Sequence, residues 1–136
     1  MGDRCYLEIT LRTCDVGAVR EVLGDWFPDE TVDDGDTPEG VTRAVIYEAN
    51  YGYATELIQL ANTLPFFGRH GAGCAYPAAR FAAVDGKYHE ADTLDNDDGL
   101  VVSVDDAGDV NADELAAIKR FLGFERRARE QVLGGQ

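Results

Sequence analysis

The dipeptide Asp85-Gly86 is the strongest local structural signal in this sequence, because it separates two strand-like runs, 79–84 and 87–91. A type I′ turn needs positive φ at both central residues, and Asp-Gly meets that need with little strain. The two runs therefore predict antiparallel strands joined by a two-residue turn. Since an isolated hairpin is marginally stable at best, the rest of the chain must supply further strands or a helix to pack against it.

Other segments show the periodicities of strands and helices. The clearest strand is 4–12, where Cys5, Leu7, Ile9 and Leu11 alternate with polar residues. Further strands are predicted at 41–48 and 100–104, and helices at 15–26, 53–62 and from Asn111 onward. In the last helix Asn111 and Glu114 form a capping box, and the apolar stripe is Leu115, Ile118 and Leu122.

The predicted order is β-α-β-α-β-β-β-α, which is typical of an α+β fold. We expect a two-layer sandwich over 1–136, in which a mixed β-sheet carries the helices on one face. Right-handed β-α-β connections are expected. The aromatic residues Trp26, Phe27, Phe66 and Phe67 are expected in the core. If exposed, they would mark a homodimer surface.

Composition bounds the class of protein. The chain has 136 residues, of which 45% are hydrophobic and 28% are charged, and these values fit one globular domain. No apolar run approaches the length that spans a bilayer, and the N-terminus has no signal-peptide pattern. The three cysteines include no C-x-x-C pair, so we expect neither a disulfide framework nor a zinc site. A cytoplasmic protein without a membrane contact is predicted.

The net charge of −14 is concentrated in two segments. Residues 25–40 contain seven acids and no base, whereas residues 85–109 contain nine acids and one lysine. All other residues together carry a charge of +1. This asymmetry favours a directed acidic surface over uniform decoration, although loops are also where solvated aspartates belong.

An array of carboxylates can occupy the basic groove of a nucleic-acid-binding protein by the electrostatics that phosphates use. We therefore expect a non-enzymatic binding protein that occludes a basic, nucleic-acid-handling partner, with both acidic segments converging on one face. The predicted contacts are Asp29, Asp33, Asp34, Asp36, Asp95, Asp97 and Asp98. Direct binding of nucleic acid is not expected, because the net charge would repel it. In size and charge the chain resembles small accessory proteins of phages and plasmids that inhibit host defence enzymes, without sharing a motif with them.

Two alternatives remain open. The segment 66–77 matches neither a helix nor a strand and contains three glycines, so it could form a ligand loop of a small binding or catalytic domain. Its polar groups would be Arg69, His70, Cys74 and Tyr76. Alternatively, the acidity is an adaptation to salt and has no target.

Established motifs for phosphate, metal and catalytic sites do not fit. The glycines of 66–77 follow a predicted helix and lead to a strand, which is the reverse of a dinucleotide-binding loop. The frame of a calcium loop fails at Gly99, where Leu94 takes the first position, and at Gly108, where Ala107 takes the fifth. We therefore assign no catalytic residue, no metal and no cofactor.

Overall fold

The computed structural model describes residues 4–25, 27–32, 35–50, 53–72, 77–94 and 99–134. These ranges contain six strands, paired antiparallel, and three α-helices, which confirms the predicted α+β class and roughly matches the predicted order. The elements are β1 Arg4–Arg12, α1 Val16–Leu23, β2 Glu30–Thr31, β3 Val41–Asn50, α2 Ala54–Leu60, β4 Phe66–His70, β5 Ala79–Val84, β6 Lys87–Asp92 and α3 Ala112–Gly134. No helix in these ranges combines the length and the apolarity needed to cross a membrane.

The six strands form one sheet in the order β2-β3-β1-β4-β5-β6, and each paired neighbour is antiparallel. The expectation of a mixed sheet is therefore wrong. The reason is the two-residue strand β2, which sequence patterning missed. After α1 the chain runs along β2 and then returns antiparallel as β3, which lies between β2 and β1. A parallel contact between β1 and the next strand is thereby avoided.

Helices cover both faces of the sheet, so the molecule has three layers where sequence predicted two. The inward residues of β1, such as Leu7 and Ile9, pack in one core with residues of α1 and α2. On the opposite face Phe67 and Ala82 pack against α3. The central strands permit this arrangement because β4 and β5 carry apolar residues on both faces.

Residues 66–70 form the strand β4, although the sequence predicted an irregular segment there. The glycine at position 68 explains both the misreading and the structure. A Cβ atom built on Gly68 would lie 2.0 Å from the Glu8 backbone oxygen and 2.8 Å from Cζ of Phe81. Glycine therefore marks a close approach inside the sheet rather than a loop.

Helix α3 begins after Asn111, whose side-chain oxygen accepts a hydrogen bond from the Glu114 backbone N–H at 3.0 Å. The predicted N-cap is thus observed. The predicted apolar stripe is not: Leu115 and Leu122 are exposed, and the helix instead buries Phe121, Glu125, Ala128 and Val132. Segment 100–104 forms only isolated bridges, Thr93 to Leu100 and Val104 to Val110.

Candidate functional site

The two acidic segments belong to opposite edges of the sheet. Strand β2 lies within the first segment and strand β6 within the second, and four strands separate them. Five inter-strand spacings of about 4.8 Å place these edges roughly 24 Å apart. The described parts of the two segments therefore do not converge on one face, contrary to the expectation from sequence. Each edge presents its own acidic surface.

Of the seven predicted contact residues, the structure describes two, Asp29 and Asp36. Asp29 is exposed, and its carboxylate accepts a hydrogen bond from the Tyr47 backbone N–H at 3.0 Å. Asp36 lines a cleft on the sheet face that α3 covers in part. The other five lie outside the described residues: Asp33, Asp34, Asp95, Asp97 and Asp98.

A third acidic feature extends from the second segment into α3. We call residues 103–117 the acidic arm. Every residue of the acidic arm is exposed, and it contains five carboxylates and no base. A helix that lies on a protein body buries one of its faces. Because residues 112–117 are exposed all round, the first turns of α3 must extend beyond the sheet.

Hydrogen bonds around Asp105 give the loop of the acidic arm a defined shape. The Asp105 carboxylate accepts bonds from the backbone N–H groups of Ala107 and Asp109, both at 2.9 Å. The Asp105 N–H donates to the Asp109 carbonyl at 3.0 Å, and the Gly108 N–H donates to the Asp105 carbonyl at 2.9 Å. The positive φ of Gly108, +87°, closes this turn.

A second set of bonds ties the loop to the helix. The Glu114 carboxylate accepts one bond from the Ser103 backbone N–H at 2.7 Å and one from the Ser103 hydroxyl at 3.0 Å. The Asn111 N–H donates to the Ser103 carbonyl at 2.8 Å. Glu114 therefore holds Ser103 instead of closing the predicted capping box on Asn111. The acidic arm is one hydrogen-bonded unit.

The outward groups of the acidic arm are of two kinds. Within the described ranges, no hydrogen bond or ion pair engages the carboxylates of Asp106, Asp109 and Asp113. Between them lie apolar side chains that are unusually exposed: Val104 at 57%, Val110 at 45% and Leu115 at 37%. Anionic and aliphatic groups thus alternate on a shaped surface.

The predicted ligand loop is divided by the sheet. Because β4 is a strand, neighbouring side chains point to opposite faces. Arg69 lines the cleft beside α3, whereas His70 contacts Glu90 on the other face. Cys74 and Tyr76 lie outside the part of the chain that the structure describes. The structure therefore does not bring Arg69 and His70 into one site.

His70 is the centre of a half-buried polar cluster. Its Nδ1 lies 2.9 Å from the Gly71 carbonyl oxygen, so Nδ1 carries a proton and donates it. Its Nε2 lies 3.6 Å from Oε2 of Glu90, and the Cys5 thiol is a further hydrogen-bond partner of the ring. The Tyr88 hydroxyl donates to the same Glu90 oxygen at 2.9 Å.

The pKa values of this cluster follow from these contacts. Burial by itself would lower the pKa of His70, but the bonds to Cys5, Glu90 and the Gly71 carbonyl raise it to about 10. The contact with His70 lowers the pKa of Glu90 against the effect of burial. Burial raises the pKa of Tyr88 above its ordinary value. At neutral pH the cluster therefore contains a cationic imidazole paired with a carboxylate.

We expect the His70–Glu90 pair to make the free energy of unfolding depend on pH. A raised histidine pKa stabilises the fold fully below the ordinary value of 6.5 and loses that effect as the pH rises towards 10. A lowered glutamate pKa acts above 4.5 and is lost as the pH falls. Both effects are fully present between pH 4.5 and pH 6.5. The free energies of unfolding of the wild type and of His70→Asn, measured in urea, should therefore differ most in this range. A difference that is unchanged from pH 6.5 to 10 would contradict this reading.

A cleft of about 620 Å³ lies on the face that α3 covers only in part. Its floor is formed by β1, β3, β4 and β5, one wall by α3 and the other by residues 36–38. The charged residues that line it are Glu8, Asp36, Arg43, Arg69, Arg80, Glu125 and Arg129. Four arginines against three acids leave this lining at +1, in a chain whose net charge is −14.

Sequence reasoning missed both the His70 cluster and the cleft. Two signals were present. Cys5 belongs to the apolar row of β1, and Arg80 interrupts an otherwise apolar strand, so each placed a polar group where burial was expected. Their partners, His70 for Cys5 and Glu125 for Arg80, come from elements distant in sequence, which no local pattern reveals. On the face that α3 covers, the ring of His89 stacks on the ring of Phe124, with 3.6 Å between the ring centroids.

Comparisons with protein-family models, with curated proteins and with solved structures found no match for this chain.

Proposed function

We propose that this protein is a binding protein that docks on a basic protein surface through the acidic arm. The partner is a nucleic-acid-handling protein whose phosphate-binding groove the arm occludes. The observation that carries the proposal is the exposure of all fifteen residues, 103–117, together with their five carboxylates and no base. None of the seven contacts predicted from sequence belongs to the acidic arm, so the proposed docking surface differs from the face expected from sequence and uses one edge of the molecule.

The order within the acidic arm supports a docking role. An acidic loop that only interacts with solvent needs no fixed shape. In the acidic arm, however, the carboxylates of Asp105 and Glu114 accept hydrogen bonds that shape the loop and hold it to the helix. This leaves Asp106, Asp109 and Asp113 as outward charges on a preformed frame. Preorganisation lowers the entropy that is lost on binding and so increases affinity without any additional contact.

The aliphatic side chains of the arm favour a protein partner over free cations. Val104, Val110 and Leu115 would gain from burial, at roughly 25 cal/mol for each Å² of apolar surface removed from water. A phosphate-binding groove presents Lys and Arg heads on aliphatic stems, which match carboxylates and aliphatic groups at the same time. Single exposed apolar residues are common, but three within one acidic unit form a patch.

The test uses a labelled duplex DNA bound to a short peptide of lysine, arginine and leucine. Fluorescence anisotropy measures how well the protein displaces the DNA. The triple variant Asp106→Asn, Asp109→Asn, Asp113→Asn removes three outward charges without cutting a hydrogen bond of the arm. Exposed ion pairs contribute about 0.2–1 kcal/mol each, so displacement at ~0.15 M salt should weaken about 10-fold. For the wild type it should also weaken steeply as salt rises.

The matched control changes three exposed glutamates elsewhere, Glu21→Gln, Glu48→Gln and Glu130→Gln, and alters the net charge equally. It should stay within about twofold of the wild type, because the contact is local. If both triple variants displace the DNA equally poorly, the net charge of the protein, and not the acidic arm, determines displacement. The docking proposal then fails, and the salt-adapted alternative is favoured. A second variant, Leu115→Gln, tests the apolar contribution and should weaken displacement as well.

A further inference from the structure

We propose that the cleft between α3 and residues 36–38 binds a small organic anion, in which one carboxylate or phosphate group is joined to an apolar body. This inference is independent of the acidic arm and concerns a different surface. The cleft volume of about 620 Å³ lies within the range of small-molecule sites, roughly 300–1,000 Å³.

The arrangement of ion pairs in the cleft indicates where an anion would bind. Glu8 is shared: Arg43 donates to Oε1 at 3.0 Å, while Arg69 lies 3.9 Å from Oε2. Glu125 accepts two bonds from Arg80 through its Nε and its terminal nitrogen. These ion pairs place three guanidinium groups at the floor of the cleft, and the acids of its lining are Glu8, Asp36 and Glu125.

Arg129 adds a fourth guanidinium at the wall. It lies over the ring of Phe67, with its Cζ 4.4 Å from the ring centroid. In the described ranges no carboxylate lies within 4.0 Å of it. Stacking holds the planar group while leaving its N–H donors at the edge available. A guanidinium held in this way is suited to bidentate recognition of a carboxylate or a phosphate.

Apolar side chains complete the lining and define the rest of the ligand. Val41, Phe67 and Leu133 contribute to the cleft together with Pro38. An inorganic ion would leave these groups without a partner, whereas an aromatic or aliphatic body would cover them. The charged groups of the lining would fix the orientation of the head group, and these apolar residues would contact the body of the ligand.

The negative charge of the whole molecule does not prevent such binding. At ~0.15 M salt the Debye length is about 8 Å, so acids at the distant edge of the sheet are largely screened. Contacts inside the cleft are short and are screened much less. Binding of the anion should therefore depend weakly on salt, whereas docking of the acidic arm should depend on it steeply.

The test is an NMR titration of the full chain with three probes: benzoate, phenyl phosphate and inorganic phosphate. At least one organic probe should shift the resonances of residues that line the cleft and bind more tightly than inorganic phosphate. A preference between the organic probes identifies the head group. If neither organic probe shifts these resonances, or if inorganic phosphate binds as tightly as both, the proposal is overturned.

The variants Arg129→Gln and Arg120→Gln separate a cleft contact from the loss of one positive charge. Both residues are exposed on α3, but only Arg129 lines the cleft. A charge-assisted bond contributes about 1.5–3 kcal/mol, so Arg129→Gln should weaken the better organic probe at least about 10-fold. Arg120→Gln should change its affinity less than about twofold, as expected for a surface site. Equal effects of the two variants would contradict the assignment.

Discussion

Replacing Glu125 with alanine should lower the free energy of unfolding by about 3 kcal/mol, as expected when one partner of a buried ion pair is removed. Glu125 is only 6% exposed and is bound by Arg80 through two hydrogen bonds, one of them 3.0 Å long. The variant leaves the Arg80 charge between the sheet and α3 without this carboxylate. Urea unfolding followed by circular dichroism measures the change.

Two controls show whether the charge or the packing is responsible. Glu130→Ala, on the exposed side of the same helix, should stay within about 0.5 kcal/mol of the wild type. The double variant Arg80→Leu, Glu125→Leu replaces the pair by apolar groups and should recover most of the loss, because such replacements are often neutral. If the double variant is as unstable as Glu125→Ala, the loss reflects packing around α3 rather than an uncompensated charge.

Gly68→Ala is expected to have at least as large an effect, about 3 kcal/mol or more. The added Cβ would lie 2.0 Å from the backbone oxygen of Glu8, and a backbone atom in a paired strand cannot move aside as a flexible side chain can. Strands β1 and β4 pair across this position, so the clash would force the centre of the sheet apart. Thermal or urea unfolding should show the loss directly.

The matched control is Gly123→Ala in α3, where an added Cβ meets nothing within 4 Å. Alanine is the better helix former, so this variant should gain up to about 1 kcal/mol. A chain in which Gly68→Ala and Gly123→Ala have similar stabilities would contradict the pairing of β4 with β1.

Local patterns in the sequence predicted most of the elements but not their arrangement. Alternation predicted 4–12 as a strand, and the structure has β1 over Arg4–Arg12. The Asp85-Gly86 turn is present, with positive φ at both residues. The strand β4 was missed because Gly68 is typical of loops, and its reason for being in the strand is a contact with β1, sixty residues earlier. The second helical layer was missed because α3 buries Glu125, which reads as a surface residue.

The candidate sites show the same limit. The concentration of charge in 85–109 was visible in the sequence and includes Asp105, Asp106 and Asp109 of the acidic arm, but the contacts predicted in this segment were Asp95, Asp97 and Asp98. Its continuation through Asp113 and Glu114 was not, because these residues read as the first turn of a packed helix. The cleft between α3 and residues 36–38 could not be predicted. Its arginines come from four elements that only the folded sheet brings together: Arg43, Arg69, Arg80 and Arg129.

The most direct test of the central claim is to locate the bound basic peptide by NMR. The peptide of lysine, arginine and leucine is added to the isotopically labelled protein at ~0.15 M salt, where distant charges are screened. Docking through the acidic arm predicts that the largest shifts fall in residues 103–117 and that those of Val104 and Leu115 exceed those of β2 and β3. Equal shifts at both acidic edges of the sheet, or the largest shifts outside the arm, would contradict it.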